Sequence, residues 1–118
     1  MKVIELVSGL NRIYPESFQE NYDNTGQQVI FPEKEITGVY VSLDVEKAVI
    51  EDAAGNNCNM IVTHHPLIFR PVKKIVSGEA RSSMLISLVK DEISLYAMHT
   101  NYDRFMFSYL ADELGFPG

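Results

Sequence analysis

At 118 residues the chain suits one domain with a single core, and a composition 46% hydrophobic and 22% charged excludes a disordered or low-complexity protein. Acidic residues outnumber basic ones 16 to 10, a net charge of −6, which provides no electrostatic footprint for nucleic acid or for an anionic membrane surface. The start, Met1-Lys2-Val3-Ile4-Glu5, has neither a secretory apolar core nor an apolar span of about 20 residues, so a cytoplasmic protein is expected, with the lone Cys58 a reduced, half-buried thiol.

In chain order, Val3, Ile4, Leu6, Val7, Leu10 and Ile13 recur at helical spacing and predict an amphipathic helix that Pro15 ends. Tyr22-Asp23-Asn24-Thr25-Gly26 is a turn cluster. The alternating run Gln27 to Phe31, closed by Pro32, and the run Gly38 to Leu43 flank a charged turn at Glu33-Lys34-Glu35, which predicts a β-hairpin. From Val39 the pattern becomes a strand–helix rhythm. Val39 to Leu43 reads as strand, Glu46 to Ala54 as helix stopped by Gly55, Met60 to Thr63 as strand, Glu79 to Lys90 as helix and Ile93 to Met98 as strand. Leu110 to Leu114 reads as the start of a last helix. The expected fold is therefore a single α/β domain over residues 1–118, with a mostly parallel βαβαβ sheet, an added antiparallel hairpin and helices packed on the sheet.

Right-handed crossovers make the three strands parallel, so their carboxyl ends open on one edge, where α/β sheets bind ligands. That edge collects Asp44, His64, His65 and His99, with Asp103 following in His99-Thr100-Asn101-Tyr102-Asp103. Pro66, without an N–H, ends the strand just after the histidine pair. Adjacent strand residues point to opposite faces, so His64 and His65 reach one metal only if the backbone turns there; otherwise they serve two neighbouring metals or form a hydrogen-bonded packing pair. Adding His99 and Asp103 favours metal, and an imidazole and carboxylate set suits Zn, Mn, Fe or Co better than Mg or Ca. Asp44, at a strand-to-helix junction, reads first as the N-cap of the helix that follows.

Tyr22-Asp23-Asn24-Thr25-Gly26-Gln27-Gln28-Val29, Ile61-Val62-Thr63-His64-His65-Pro66-Leu67-Ile68-Phe69 and Met98-His99-Thr100-Asn101-Tyr102-Asp103 resemble the amino-terminal half of the Nif-three-like family (Ngg-one interacting factor three), whose bacterial members are often named GTP cyclohydrolase I type 2 homologues. The resemblance implies an α/β protein with two divalent metal ions, assembled as a toroidal homohexamer. It maps His64, His65 and Asp103 to metal ligands and puts His99 beside the site, where it is the candidate catalytic proton shuttle. It also implies a further histidine and glutamate near the carboxyl terminus. This chain has no counterpart of them, so it is expected to be the amino-terminal part of a longer protein. Gln27 stands where the family has leucine, and Arg104-Phe105-Met106-Phe107-Ser108 replaces a glycine-containing stretch.

Two function classes follow. One is metal-dependent hydrolysis of a small-molecule substrate, nucleotide-like or a cyclic amide by resemblance; the other is a metal-binding scaffold or protein-interaction module without turnover. Phe105, Met106, Phe107 and Tyr109 form an apolar run outside the predicted strands, from which a homo-oligomer with closed symmetry is expected.

Overall fold

The computed structural model describes residues 1–115, apart from the side chains of Phe105 and Ser108. Four strands, β1 (Gly26–Val29), β2 (Val39–Ser42), β3 (Met60–Thr63) and β4 (Ser94–Ala97), form one sheet in the order β1-β4-β3-β2. β2, β3 and β4 are mutually parallel, and β1 runs antiparallel to β4. The helices are α1 (Val3–Ile13), α2 (Lys47–Gly55), α3 (Ala80–Lys90) and α4 (Thr100–Glu113), with a single 3-10 turn at Glu16–Phe18.

The mixed α/β class and its mostly parallel sheet match the expectation, but the hairpin does not form. β1 and β2 lie on opposite edges, and the antiparallel partner of β1 is β4. The Pro32–Lys34 segment between them does something else: its Pro32 and Lys34 carbonyls accept from the Ile4 and Val3 N–H groups at 3.0 and 2.9 Å. It thus satisfies two of the orphan donors at the start of α1.

The two central strands are buried throughout, as expected for strands with helices on both faces. Their period-2 alternation divides the core. Met60, Val62 and Tyr96 pack under Val3 and Val7 of α1, while Ile61 and Leu95 meet Ile50 and Ala53 of α2 and Leu88 of α3. Two successive crossovers stepping the same way across the sheet leave α2 and α3 on one face.

Both crossover helices end on a left-handed residue other than glycine. After α2, Asn57 has φ 57°, Cys58 N–H returns to the Ala53 carbonyl at 2.8 Å and Asn57 N–H to Ala54 at 3.1 Å. This is the paired-bond ending that satisfies orphan carbonyls. Gly55 is the last helical residue, not the stop. α4 begins at Thr100, ten residues before the apolar run that predicted it. Along it Met106 is partly buried and Phe107 and Tyr109 are exposed, whereas Phe105 lies outside the described side chains. Among the described residues no helix is long and apolar enough to cross a membrane.

Candidate metal centre

The three parallel strands deliver their carboxyl ends to one edge, as the sequence predicts. After Thr63 the chain turns. The Thr63 hydroxyl donates to the His65 carbonyl at 2.8 Å, and the His65 N–H donates to the Leu43 carbonyl beyond β2 at 3.0 Å. The turn puts both rings on one side, with centroids 4.8 Å apart and edge to face. His99, after β4, completes a triangle, 5.0 Å from His64 and 5.3 Å from His65. One ring nitrogen from each of the three lies within 4.8 Å of the others.

Every ring is backed by a carboxylate from a different segment. His64 Nε2 lies 2.8 Å from Asp103 Oδ1 on the first turn of α4, His65 Nδ1 pairs with Asp44 just beyond β2, and His99 Nδ1 lies 3.1 Å from Asp23 Oδ2 in the turn before β1. An ionised carboxylate only accepts, so the engaged nitrogen of each ring carries the proton. In a neutral ring the opposite nitrogen then carries the lone pair: Nδ1 on His64, Nε2 on His65 and on His99. His64 Nδ1 is buried and has no hydrogen-bond partner.

Asp44 corrects the sequence reading. α2 starts at Lys47 with Glu46 as its cap residue, so the Asp44 carboxylate is free of capping and holds His65. Asp23 is the residue that sequence reasoning missed. Its side chain is wholly inaccessible, and Oδ2 accepts from the Thr100 N–H at 3.0 Å and the Thr100 hydroxyl at 2.5 Å, besides His99. It therefore caps the start of α4 from outside the helix. Burial alone would raise the Asp23 carboxyl; the Thr100 hydroxyl and N–H, the His99 ring and the Asn24 N–H together hold it below the ordinary carboxylate range. The one signal for it was its place in the turn cluster.

The fit to a divalent ion rests on the donor set. Clustered imidazole nitrogens flanked by carboxylates suit a borderline metal. The carboxylate–histidine pairs are the supports that fix ring orientation and tautomer in such sites. A buried, partnerless imidazole nitrogen is a group that a ligand would satisfy. Of the cluster, His64 and His65 would hold the ion, with Asp103 and Asp44 bonded to the same rings and His99 left to move a proton. His99 thus stands within the cluster, where the sequence expected it beside the site.

The family model described as Duf34/NIF3 (NGG1p interacting factor 3) matches residues 1–117. A Clostridium perfringens "GTP cyclohydrolase 1 type 2 homolog" is 37% identical over 103 residues, 87% of this chain and 39% of its own length. A Campylobacter jejuni protein of the same name is 36% identical over 118 residues, 98% of this chain and 48% of that one. Among solved structures, a Bacillus cereus protein related to NIF3 superposes with a TM-score of 0.80 at 33% identity, covering 86% of this chain and 28% of that one. The chain thus spans less than half the length of these relatives.

Proposed function

This chain belongs to the Duf34/NIF3 family, and from that premise we propose that it contributes His64, His65 and Asp103 to a dinuclear divalent-metal site (Zn, Mn, Fe or Co) of a cytoplasmic metal-dependent hydrolase. The substrate class is nucleotide-like or a cyclic amide. The observation that carries the reading is the three-imidazole cluster, with one nitrogen from each ring within 4.8 Å of the others; His64 Nδ1 is in addition buried without a partner. When bound, divalent ions supply charge stabilisation and make water acidic enough to serve as a nucleophile near neutral pH.

The remaining work falls to the protein. His64 and His65 orient their lone pairs through Asp103 and Asp44. His99 moves a proton at Nε2, because Asp23 keeps its Nδ1 protonated and holds the ring still. The ring-shaped homohexamer implied by family resemblance belongs to the same reading, supported by exposed apolar side chains at Tyr109, Leu110 and Leu114.

The test is metal content after dialysis against a weak chelator. The parent retains divalent metal and His65→Ala loses most of it while keeping its helical circular dichroism. Equal metal in the two proteins would overturn the site. Metal retained with no hydrolysis of nucleotides or cyclic amides would leave a metal-binding scaffold instead of an enzyme.

A further inference from the structure

Two successive residues of α4 reach one imidazole. Asp103 Oδ1 accepts from His64 Nε2 at 2.8 Å, and the Tyr102 ring stands edge to face against His64, with centroids 6.3 Å apart and planes at 81°. Neighbouring residues of a helix project about 100° apart around its axis, so the carboxylate and the ring meet His64 from different directions. Tyr102 is itself backed. Its ring lies 5.2 Å from that of Tyr14 at 64°, and Tyr14, the residue that closes α1, takes the Asn101 amide on its carbonyl at 2.9 Å. Asn101, Tyr102 and Asp103 thus join the end of α1 to His64 through three consecutive residues.

The imidazole needs the second contact. One hydrogen bond fixes the direction of Nε2 but not the tilt of the ring about that line. The Asp103 side chain is 54% exposed, so water competes for the bond. The rings of His65 and His99 touch His64 as well, at 4.8 and 5.0 Å, but each is tied to a carboxylate of its own and belongs to the group that would adjust around a ligand. Tyr102 meets His64 from outside that group. It is half-buried, and an edge-to-face pair at this separation is attractive. A turn of the imidazole about χ2 would take Nε2 off Asp103, and the Tyr102 ring stands against it.

We propose that Tyr102 is a positioning residue whose ring holds the plane of His64, so that Nε2 stays on Asp103 and the buried Nδ1 remains the nitrogen open to a ligand. The effect on the imidazole stands by itself. Its consequence for a divalent ion rests on the metal-site reading above.

Two measurements on the full chain test it: two-bond ¹H–¹⁵N NMR of the histidines in chelator at mildly alkaline pH, and titration with Co²⁺ followed by its visible absorption. The parent is expected to show His64 as the Nε2–H tautomer, and Tyr102→Phe to match it in both measurements. Tyr102→Leu, which keeps bulk but no aromatic ring, should show both tautomers of His64 and bind Co²⁺ about fivefold more weakly, the effect of losing one aromatic pair. Tyr14→Leu removes the backing ring without touching the site and should act in the same direction by a smaller factor, which keeps the test open if Tyr102→Leu does not fold. A single Nε2–H tautomer in both leucine variants overturns the proposal. An equal shift in Tyr102→Phe overturns it too, since the hydroxyl and not the ring would then be acting. A tautomer shift in Tyr102→Leu when the parent takes up no Co²⁺ upholds the positioning role and counts against the metal reading alone.

Discussion

Asp23 is the residue whose removal tells most about how the site is built. In Asp23→Ala, four donors lose their acceptor at once: the Thr100 N–H, the Thr100 hydroxyl and the His99 Nδ1–H on Oδ2, and the exposed Asn24 N–H on Oδ1. A hydrogen bond to a charged group is worth about 1.5–3 kcal/mol, but three of the bonds share Oδ2 and the fourth is exposed, so the total falls short of their sum. A loss of about 3–5 kcal/mol is expected, a large share of the roughly 5–15 kcal/mol that holds a domain together. Asp23→Asn keeps one acceptor oxygen and loses only the charge, at about 1–2 kcal/mol. The assay is urea unfolding followed by circular dichroism at neutral pH, and then at falling pH. The folded carboxyl titrates below its ordinary value, so its contribution is fully present above about pH 4 and is lost as pH falls through the depressed value. The parent should therefore lose stability in acid more steeply than Asp23→Asn. An unchanged midpoint in Asp23→Ala, or acid profiles of parent and Asp23→Asn that run parallel, would refute the reasoning.

Other consequences follow from single positions. Asp103→Asn removes the negative charge behind His64 and should weaken divalent metal binding at least about tenfold, read by titration with a metal indicator; unchanged affinity would shift the carboxylate role to Asp44. Gly26 sits at φ +92°, and a Cβ there would lie 2.0 Å from Glu16 Oε1. The Glu16 terminus can swing aside but the backbone cannot, so Gly26→Ala should cost about 1–2 kcal/mol in urea unfolding. Sedimentation at micromolar concentration should give a closed homo-oligomer, and a soluble 13.3 kDa monomer would refute the assembly.

The sequence made the parallel strands legible because they are short apolar runs between helical patterns, and topology alone then carried His64, His65 and His99 to one edge. What it hid has a common cause. β1 pairs with a strand about seventy residues further on, Gly26 opposite Ala97, and two consecutive runs with a turn between them look like a hairpin whatever each later pairs with. Asp44 was read as a cap because local chemistry favours that role, while its actual partner, His65, is distant in sequence. The beginning of α4 was invisible for a different reason. Thr100 and Asn101 carry no apolar periodicity, and both are buried.

A polar network instead fixes the start of that helix. The Asn101 amide donates to the Tyr14 carbonyl at 2.9 Å, and its Oδ1 lies 2.7 Å from the Thr25 hydroxyl, which also accepts from the His99 N–H at 3.2 Å. Asp23 and Thr25 of the turn cluster thus interlock with His99, Thr100 and Asn101. The two stretches that looked like separate motifs are one structure seen from two points in the chain. Such a network is stabilising when its members are satisfied, and beside it lies a group that is not. The His64 Nδ1 lone pair stays buried and unpartnered, at a cost of about 1–3 kcal/mol. Three carboxylates hold the three clustered rings. That cost would be removed by an electron-pair acceptor entering the cluster, so a gain in stability on adding a divalent ion is the expected outcome, and an unfolding midpoint unmoved by the ion would leave the histidines a packing feature.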